Sequence, residues 1–423
     1  MRFALALCEV QHLAAVLAIA TSLHASEAAA SPAIDYAGMM RSTVDSWVAS
    51  QSTGGLFPYG FDFLADKPTE PDRISPSNLI RQAGAAYTLA AYNQHVKDPR
   101  LEEPIRRLLS AFGAYSLPIG KSNAQRWVER TRVLSLPFAR WKLLFMLERF
   151  GLLYETSGEG RVVSRDSRYG SALTGTVALA LLTELVYSNA TGDNRFAGLR
   201  SAWLQGLLSL RIPGGGFRQT PTSIDDSDYY NGEGWLAVAV YCDLHRDDAQ
   251  AAATLAELDA ALIARYSRKP NPYFYHWGAM AAAQRFATTH SPQFPVFLQN
   301  QAELFFIQFQ GRLKPDGNNC ADMEGLAATL AVLVRSGEGD ADLARRIRAW
   351  LSSEAAKLPK LQIQPRQVAI ALGGEAILGA PRMAEFAGAF LAGVYEPSTR
   401  IDAAAHCVSA MIIIERNELQ LAP

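Results

Sequence analysis

The chain has 423 residues, of which 49% are hydrophobic and 19% are charged, a composition typical of a folded globular protein. Its 40 lysines and arginines nearly balance 41 aspartates and glutamates, so the net charge is -1. This balance excludes the basic surface expected of a nucleic-acid-binding protein and the polybasic segment of a peripheral membrane protein. We therefore expect no nucleic acid among its partners.

Residues 1–30 have the features of a secretory signal peptide. Arg2 supplies a positive start, residues 13–23 form a short apolar stretch, and small residues such as Ala25 and Ala28 follow. About eleven apolar residues are too few to cross a bilayer, which needs roughly 20. We expect cleavage near residues 26–31, a periplasmic or extracellular mature chain, and no membrane span after cleavage.

Three cysteines remain after removal of residues 1–30, namely Cys242, Cys320 and Cys407. An odd number of cysteines cannot be fully paired within one chain. A core built from residues 31–423, which we expect to form a single domain, is large enough to be stable without a disulfide scaffold.

From about residue 77 onward the dominant pattern is helical. One amphipathic helix has its apolar residues at spacing i, i+3, i+4 and i+7, at Ile105, Leu108, Leu109 and Phe112. Other segments are apolar around their whole circumference and should be buried on all sides: residues 79–91, 172–186, 235–241, 277–286, 324–334 and 403–414. Because the two kinds alternate, the sequence predicts an array of helical hairpins.

The array should close into a ring. Six or seven hairpins fit the length, and no polar capping repeat is visible at the C-terminus; an open solenoid is the alternative. Residues 137–150 form a further apolar helix that could fill the place between the first two buried helices. Residues 152–165, with a Ser-Gly-Glu-Gly run, predict a β-hairpin over one mouth of the ring. The inner helices should start near Asn78, Ser171, Asn231, His276, Asp322 and Asp402.

Four short motifs carry a resemblance to a known family. They are GGGF at residues 214–217, YYNGEGW at 229–235, YHW at 275–277 and ATGD at 190–193. Over about residues 50–415 the chain resembles the six-hairpin glycosidase-like proteins. The resemblance implies an all-α fold, an (α/α)6 toroid of helical hairpins with a small β-hairpin insertion. Relatives of this fold include glycoside hydrolases, polysaccharide lyases and sugar epimerases, so the fold alone does not settle the reaction.

In such a toroid, the loops that enter the inner helices line one end of the central cavity. Glu233 and Glu324 both lie there, each followed by a glycine and an apolar run. Glycosidic cleavage needs two carboxyl groups, one to donate a proton and one to activate water or attack. Asp228 and His276 are further candidates for acid or base catalysis. The alternative is structural, because carboxylates in a first helical turn, Asp402 among them, also stabilise the helix.

Other polar and aromatic side chains at the same ends are candidates for substrate binding, namely Asp62, Arg81, Tyr230, Trp277, Asn319 and His406. Arg81 lies on an otherwise apolar helix and needs either a structural ion-pair partner or an anionic ligand. The aromatic rings could stack on sugars or pack in the core.

Four residues are of types that could bind zinc. Cys320, Asp322, His406 and Cys407 are zinc-compatible residue types, but their spacing is a weak signal, and we assign neither a metal nor a cofactor.

The sequence therefore predicts an exported carbohydrate-active enzyme of glycoside hydrolase, polysaccharide lyase or sugar epimerase type. It would act on a glycan or oligosaccharide through carboxylate acid/base chemistry. The alternative is a non-catalytic toroid that binds a polysaccharide or a protein during envelope or exopolysaccharide assembly.

Overall fold

A computed structural model describes residues 34–69, 76–130, 137–212, 214–337 and 340–421. The predicted signal peptide at residues 1–30 lies outside the described residues. The described helices are α1 (Tyr36–Ser50), α2 (Pro76–Val96), α3 (Glu102–Ala114), α4 (Asn123–Arg130), α5 (Pro137–Arg149), α6 (Thr174–Thr191), α7 (Ala197–Ser209), α8 (Asp228–Leu244), α9 (Ala249–Arg268), α10 (Pro272–Thr289), α11 (Gln293–Leu304), α12 (Cys320–Ser336), α13 (Ala341–Ala355), α14 (Leu358–Leu361) and α15 (Ile401–Arg416).

Six of these helices form an inner ring. They are α2, α6, α8, α10, α12 and α15, and each contacts the next, with α15 contacting α2. The outer helices α3, α7, α9, α11 and α13 each follow an inner helix and pack on it, while α1 packs on α15. The contact between α15 and α2 closes the ring and excludes an open solenoid. The predicted (α/α)6 toroid is confirmed.

The inner helices are buried because they have no polar face. In α6 every side chain from Thr174 to Ser188 is buried, and the helix ends at Gly192, whose φ of 75° continues the chain towards the outer helix α7. The observed starts of the six inner helices differ from the predicted ones by four residues at most. Within the part of the chain that is described, no helix is long and apolar enough to cross a membrane.

Short strands accompany the ring. They are β1 (Gly60–Asp62), β2 (Lys67–Thr69), β3 (Ser116–Lys121), β4 (Tyr154–Val163), β5 (Ala369–Ala371), β6 (Ile377–Gly379), β7 (Leu391–Gly393) and β8 (Glu396–Arg400). One antiparallel sheet has the order β2-β1-β8-β7, with Phe61 opposite Thr399. This sheet therefore joins the segment before α2 to the segment that leads into α15.

The segment at residues 152–165 differs from the prediction in its pairing. It contains one strand, β4, which pairs antiparallel with β3 upstream and packs on the outer helix α7. The glycines of this segment predicted a turn, but in the structure they allow neighbouring backbone segments to pack closely. A β-carbon at Gly158 would lie 2.5 Å from the backbone nitrogen of Gly120, and one at Gly160 would lie 2.7 Å from that of Gly206. The helix at residues 137–149 does not fill a place in the ring, because α2 contacts α6 directly.

Close packing within the ring depends on glycine at Gly232. A β-carbon there would lie 2.6 Å from Cβ of Trp277 and 2.9 Å from the backbone nitrogen of Gly278. We expect Gly232→Ala to push α8 away from α10 and to lower the free energy of unfolding by about 1–3 kcal/mol, the usual cost of overpacking. Denaturant titration followed by circular dichroism measures this loss.

Gly198→Ala is the matched control, since no neighbouring heavy atom lies within 4 Å of a β-carbon at this helical position. It should leave stability unchanged or raise it slightly, because alanine is the better helix former. Equal stability of the two variants would show that α8 and α10 are not packed as described.

Candidate active site

A cavity of about 310 Å³ opens at the end of the ring where the inner helices begin. All six inner helices or the residues immediately before them contribute to its wall. The polar part of the lining comprises Ser77, Arg81, Thr88, Tyr229, Tyr230, Glu233, His276, Glu324, Arg400, Asp402 and His406. Most side chains in the middle of these helices are apolar, and the ionisable groups that line the cavity lie in their first two turns or immediately before them.

Glu233 is buried, with only 4% of its surface exposed, and its Oε2 atom has no hydrogen-bond partner among the described residues. Burial raises the pKa of this carboxyl group well above its usual value, which favours its protonated form. Gly175 on α6 makes room for it, because a β-carbon there would lie 1.9 Å from Oε2. A buried carboxyl group with this bias is suited to donate a proton.

Glu324 and His406 form a pair across the contact between α12 and α15. Nδ1 of His406 donates to Oε2 of Glu324 at 2.6 Å, and Glu324 is almost completely buried. Burial acts to lower the pKa of His406, but the Glu324 carboxylate and Asp402 outweigh it and raise this pKa overall. The shift favours the protonated form of His406, hydrogen-bonded to Glu324.

His276 faces this pair in a different electrical state. Its ring lies perpendicular to that of His406, with the ring centroids 5.2 Å apart, and its Nε2 is buried without a hydrogen-bond partner among the described residues. Burial, together with the neighbouring His406, lowers the pKa of His276 well below its usual value. The pKa shifts of the two imidazoles are therefore opposite, and they favour the neutral form of His276 and the charged form of His406.

A second ionic group lies on the same wall. Oδ2 of Asp402 forms an ion pair with Nε of Arg81 at 3.1 Å, and its Oδ1 accepts from Nε of Arg400 at 3.0 Å. Arg81 also donates to the hydroxyl of Tyr59. Burial acts to raise the pKa of Asp402, but the two guanidinium groups lower it overall. Of the two explanations expected for Arg81, a structural ion pair and an anionic ligand, the structure shows the ion pair.

A disulfide joins Cys320 to Cys407 and so links the start of α12 to the second turn of α15, the helices that carry Glu324 and His406. Cys242 remains as a free cysteine. Two of the four zinc-compatible residues considered from the sequence are thereby bonded to each other and cannot act as thiolate ligands. Beside them, burial together with Glu354 and Glu324 raises the pKa of Asp322 to about 7.

Seven predicted site residues line the cavity together: Arg81, Tyr230, Glu233, His276, Trp277, Glu324 and His406. Their catalytic and binding roles stay predictions. Three others do not line it. The Asp228 carboxylate accepts from Tyr266 at 2.5 Å and from Asn271 at 2.6 Å. Asp62 caps the turn after β1, and Asn319 donates to Glu354.

Asp228, Asp62 and Asn319 share one reason for this difference. Each has hydrogen-bond partners outside the cavity, so none needs to face the ring. Arg400, which the sequence did not predict, also lines the cavity, and so does Asp402, for which helix capping was one of two expected roles. The Arg-Ile-Asp run before an apolar helix was visible, but its pairing with Arg81 more than 300 residues earlier was not.

No protein family matches the sequence, and no curated protein matches it. Solved structures share the fold. The α-1,6-mannanase GH76A of Salegentibacter sp. HEL1_6 is 10% identical, covering 90% of this chain and 100% of its own, with a TM-score of 0.54. An unsaturated glucuronyl hydrolase specific for heparin is 10% identical, with coverages of 92% and 99% and a TM-score of 0.51.

A family 76 glycoside hydrolase (mannosidase) from Bacteroides thetaiotaomicron VPI-5482 is 9% identical, covers 90% of this chain and 99% of its own, and has a TM-score of 0.51. These neighbours are six-hairpin glycosidase-like (α/α)6 toroid proteins. The resemblance inferred from the short motifs is therefore confirmed at the level of the fold.

The disulfide should contribute measurably to stability. Replacing Cys320 and Cys407 by serine together frees a loop of 87 residues in the unfolded chain. We expect the free energy of unfolding to fall by about 2–5 kcal/mol under non-reducing conditions. Cys242→Ser is the control and should change it much less. If wild type and the double variant unfold at the same denaturant concentration, the disulfide does not form.

Proposed function

We propose that the protein is a carbohydrate-active enzyme that hydrolyses a glycan in the cavity at the inner-helix starts. One observation carries the proposal: the same cavity holds Glu233, a carboxyl group whose pKa is raised by burial, and Glu324, a carboxyl group hydrogen-bonded to His406. Titratable groups whose environments differ in this way are suited to opposite roles, one as acid and the other as base.

The raised pKa of Glu233 and the hydrogen bond of Glu324 indicate their catalytic roles. Glu233 is the candidate general acid, donating its proton to the glycosidic oxygen that leaves. Glu324 is the candidate base that activates water, and His406 sets its position through their hydrogen bond. Tyr230 and Trp277 line the same cavity and offer aromatic surface to the apolar faces of a sugar.

The charges favour an anionic sugar. Arg81 and Arg400 both pair with the single carboxylate of Asp402, which leaves one positive charge in excess on that wall. The charges of Glu324 and His406 offset each other. Of the structural neighbours, the glucuronyl hydrolase is specific for heparin, which is an anionic polysaccharide. A substrate with a carboxylate or sulfate group would complement the excess charge.

The mannanase differs at its reactive carboxyl groups. Its inactive variant replaces two adjacent aspartates. Adjacent aspartates occur in this chain at Asp225 and Asp226, but neither lines the cavity, and Asp226 is paired with Arg265 and Asn231. The lining carboxyl groups come instead from three different helices. This difference favours a substrate other than α-1,6-mannan.

We further propose that the protein acts outside the cytoplasm. The disulfide between Cys320 and Cys407 supports this location, because such bonds persist in oxidising compartments. The support from the disulfide is independent of the signal-peptide prediction at residues 1–30, which rests on sequence pattern alone.

The catalytic role of Glu233 can be tested by Glu233→Gln, which keeps the shape and removes the dissociable proton. The wild-type protein is first screened against acidic and neutral polysaccharides, including heparin fragments and α-1,6-mannan, with reducing-end release and product chromatography as readouts. On the substrate found, we expect Glu233→Gln to lower kcat by at least about 100-fold, in line with loss of a general acid, while substrate binding is retained.

Glu184→Gln is the matched control. Glu184 is also a buried carboxyl group on an inner helix, and burial raises its pKa to about 7, but it faces Arg200 on α7 and does not line the cavity. Its replacement should leave kcat unchanged. Full activity of Glu233→Gln would refute the proposed role. Binding of a glycan by the wild type without any product would instead favour the non-catalytic alternative.

A further inference from the structure

Three side chains in the cavity have the composition and spacing of a metal site. His276, Glu324 and His406 each offer one ligand atom, and these three atoms all lie within 4.8 Å of one another. They come from α10, α12 and α15, three consecutive helices of the inner ring. Tetrahedral zinc with bonds of about 2.0–2.1 Å holds its ligand atoms about 3.4 Å apart, so small side-chain rotations would close the set.

A second observation points to a ligand at this place. His276 is only 5% exposed, and its buried Nε2 has no hydrogen-bond partner among the described residues. An unpaired buried polar atom costs about 1–3 kcal/mol and is rare in folded proteins. A metal ion that accepts the lone pair of this imidazole would remove the cost.

The remaining pair is compatible with the same ion. Nδ1 of His406 and Oε2 of Glu324 are 2.6 Å apart with a proton between them. A cation can take the place of that proton, because a neutral imidazole and a carboxylate are both zinc ligands. The disulfide between Cys320 and Cys407 links α12 to α15 and so limits the separation of the two helices that carry the pair.

We infer that His276, Glu324 and His406 bind a divalent transition metal ion, with Zn²⁺ as the best match to two imidazoles and one carboxylate. Three protein ligands leave a fourth position open, as in catalytic zinc sites, and here it faces the cavity that Glu233 also lines. With the ion bound, Glu324 is a ligand, and activation of water passes from its carboxylate to the metal. The inference goes beyond the proposed function, since the ion can bind without any glycan.

The test is zinc binding by the full chain, purified without a polyhistidine tag and stripped with a chelator. Titration with Zn²⁺ against a chromogenic competitor should show one site per chain. Substitution with Co²⁺ should give the visible absorption of a tetrahedral site. His276→Gln and His406→Gln should each weaken zinc binding by on the order of 100-fold or more, because even indirect partners of zinc ligands contribute about 10–100-fold.

His95→Gln is the matched control. His95 also pairs with a glutamate, since its Nε2 lies 3.1 Å from Oε2 of Glu415, and it is not one of the three clustered residues. Its replacement should leave the zinc affinity unchanged. Thermal unfolding provides a second measurement: Zn²⁺ should raise the Tm of wild type and of His95→Gln, but not that of correctly folded His276→Gln.

Two results would overturn the inference. One is a wild-type protein that binds no zinc; the other is zinc binding that survives both histidine substitutions. Neither result depends on glycan turnover. A protein that binds zinc but cleaves no glycan contradicts only the proposed function. Turnover that persists after removal of all metal, combined with absent zinc binding, contradicts only the metal site.

Discussion

Six helices without a polar face can all be buried only if each is enclosed by its neighbours, and a closed ring satisfies this condition. The contact of α15 with α2 completes that enclosure. The consequence for function is direct. Most side chains in the packed middle of the inner helices are apolar, and ionisable side chains from five of the six helices meet near the helix starts at one cavity. The fold thereby concentrates charge in a place that is mostly screened from water.

Burial then separates these groups into different states. Burial raises the pKa of Glu233, whereas Glu324 shares a hydrogen bond with His406 and Asp402 is held by two arginines. The same low-dielectric surroundings thus favour an acid in one position and a carboxylate in another. An unpaired charge costs much free energy in these surroundings. Loss of a partner of Glu324 or Asp402 should therefore disturb the site more than loss of one partner in a surface ion pair would.

Much of the fold could be predicted from periodicity. The all-round apolar segments marked the inner helices to within four residues, because burial on every side leaves a clear composition. The pairing of the strands was harder to predict from the sequence. β4 was recognised as a strand, but its partner β3 lies beyond two intervening helices, and local turn residues gave the wrong partner.

The candidate site could be predicted in part for a similar reason. Glu233, His276 and Glu324 were recognised because a charged or polar residue in the first turn of an apolar helix is conspicuous. Asp228 also lies beside the start of an apolar helix, but its carboxylate accepts hydrogen bonds from Tyr266 and Asn271. The residues next to Asp228 in the sequence do not predict these bonds. The glycines flanking Glu233 admit Trp277 and Phe217 rather than a ligand. Which way a first-turn side chain points depends on partners from distant parts of the chain.

The central claim is that the cavity at the inner-helix starts is where a glycan binds. A crystal structure of Glu233→Gln with the oligosaccharide that the wild-type protein binds or cleaves tests it most directly. We expect a sugar ring inside the cavity, against Trp277, with its glycosidic oxygen within hydrogen-bonding distance of the substituted side chain at position 233. An oligosaccharide bound elsewhere on the protein, with the cavity free of sugar, would contradict the account.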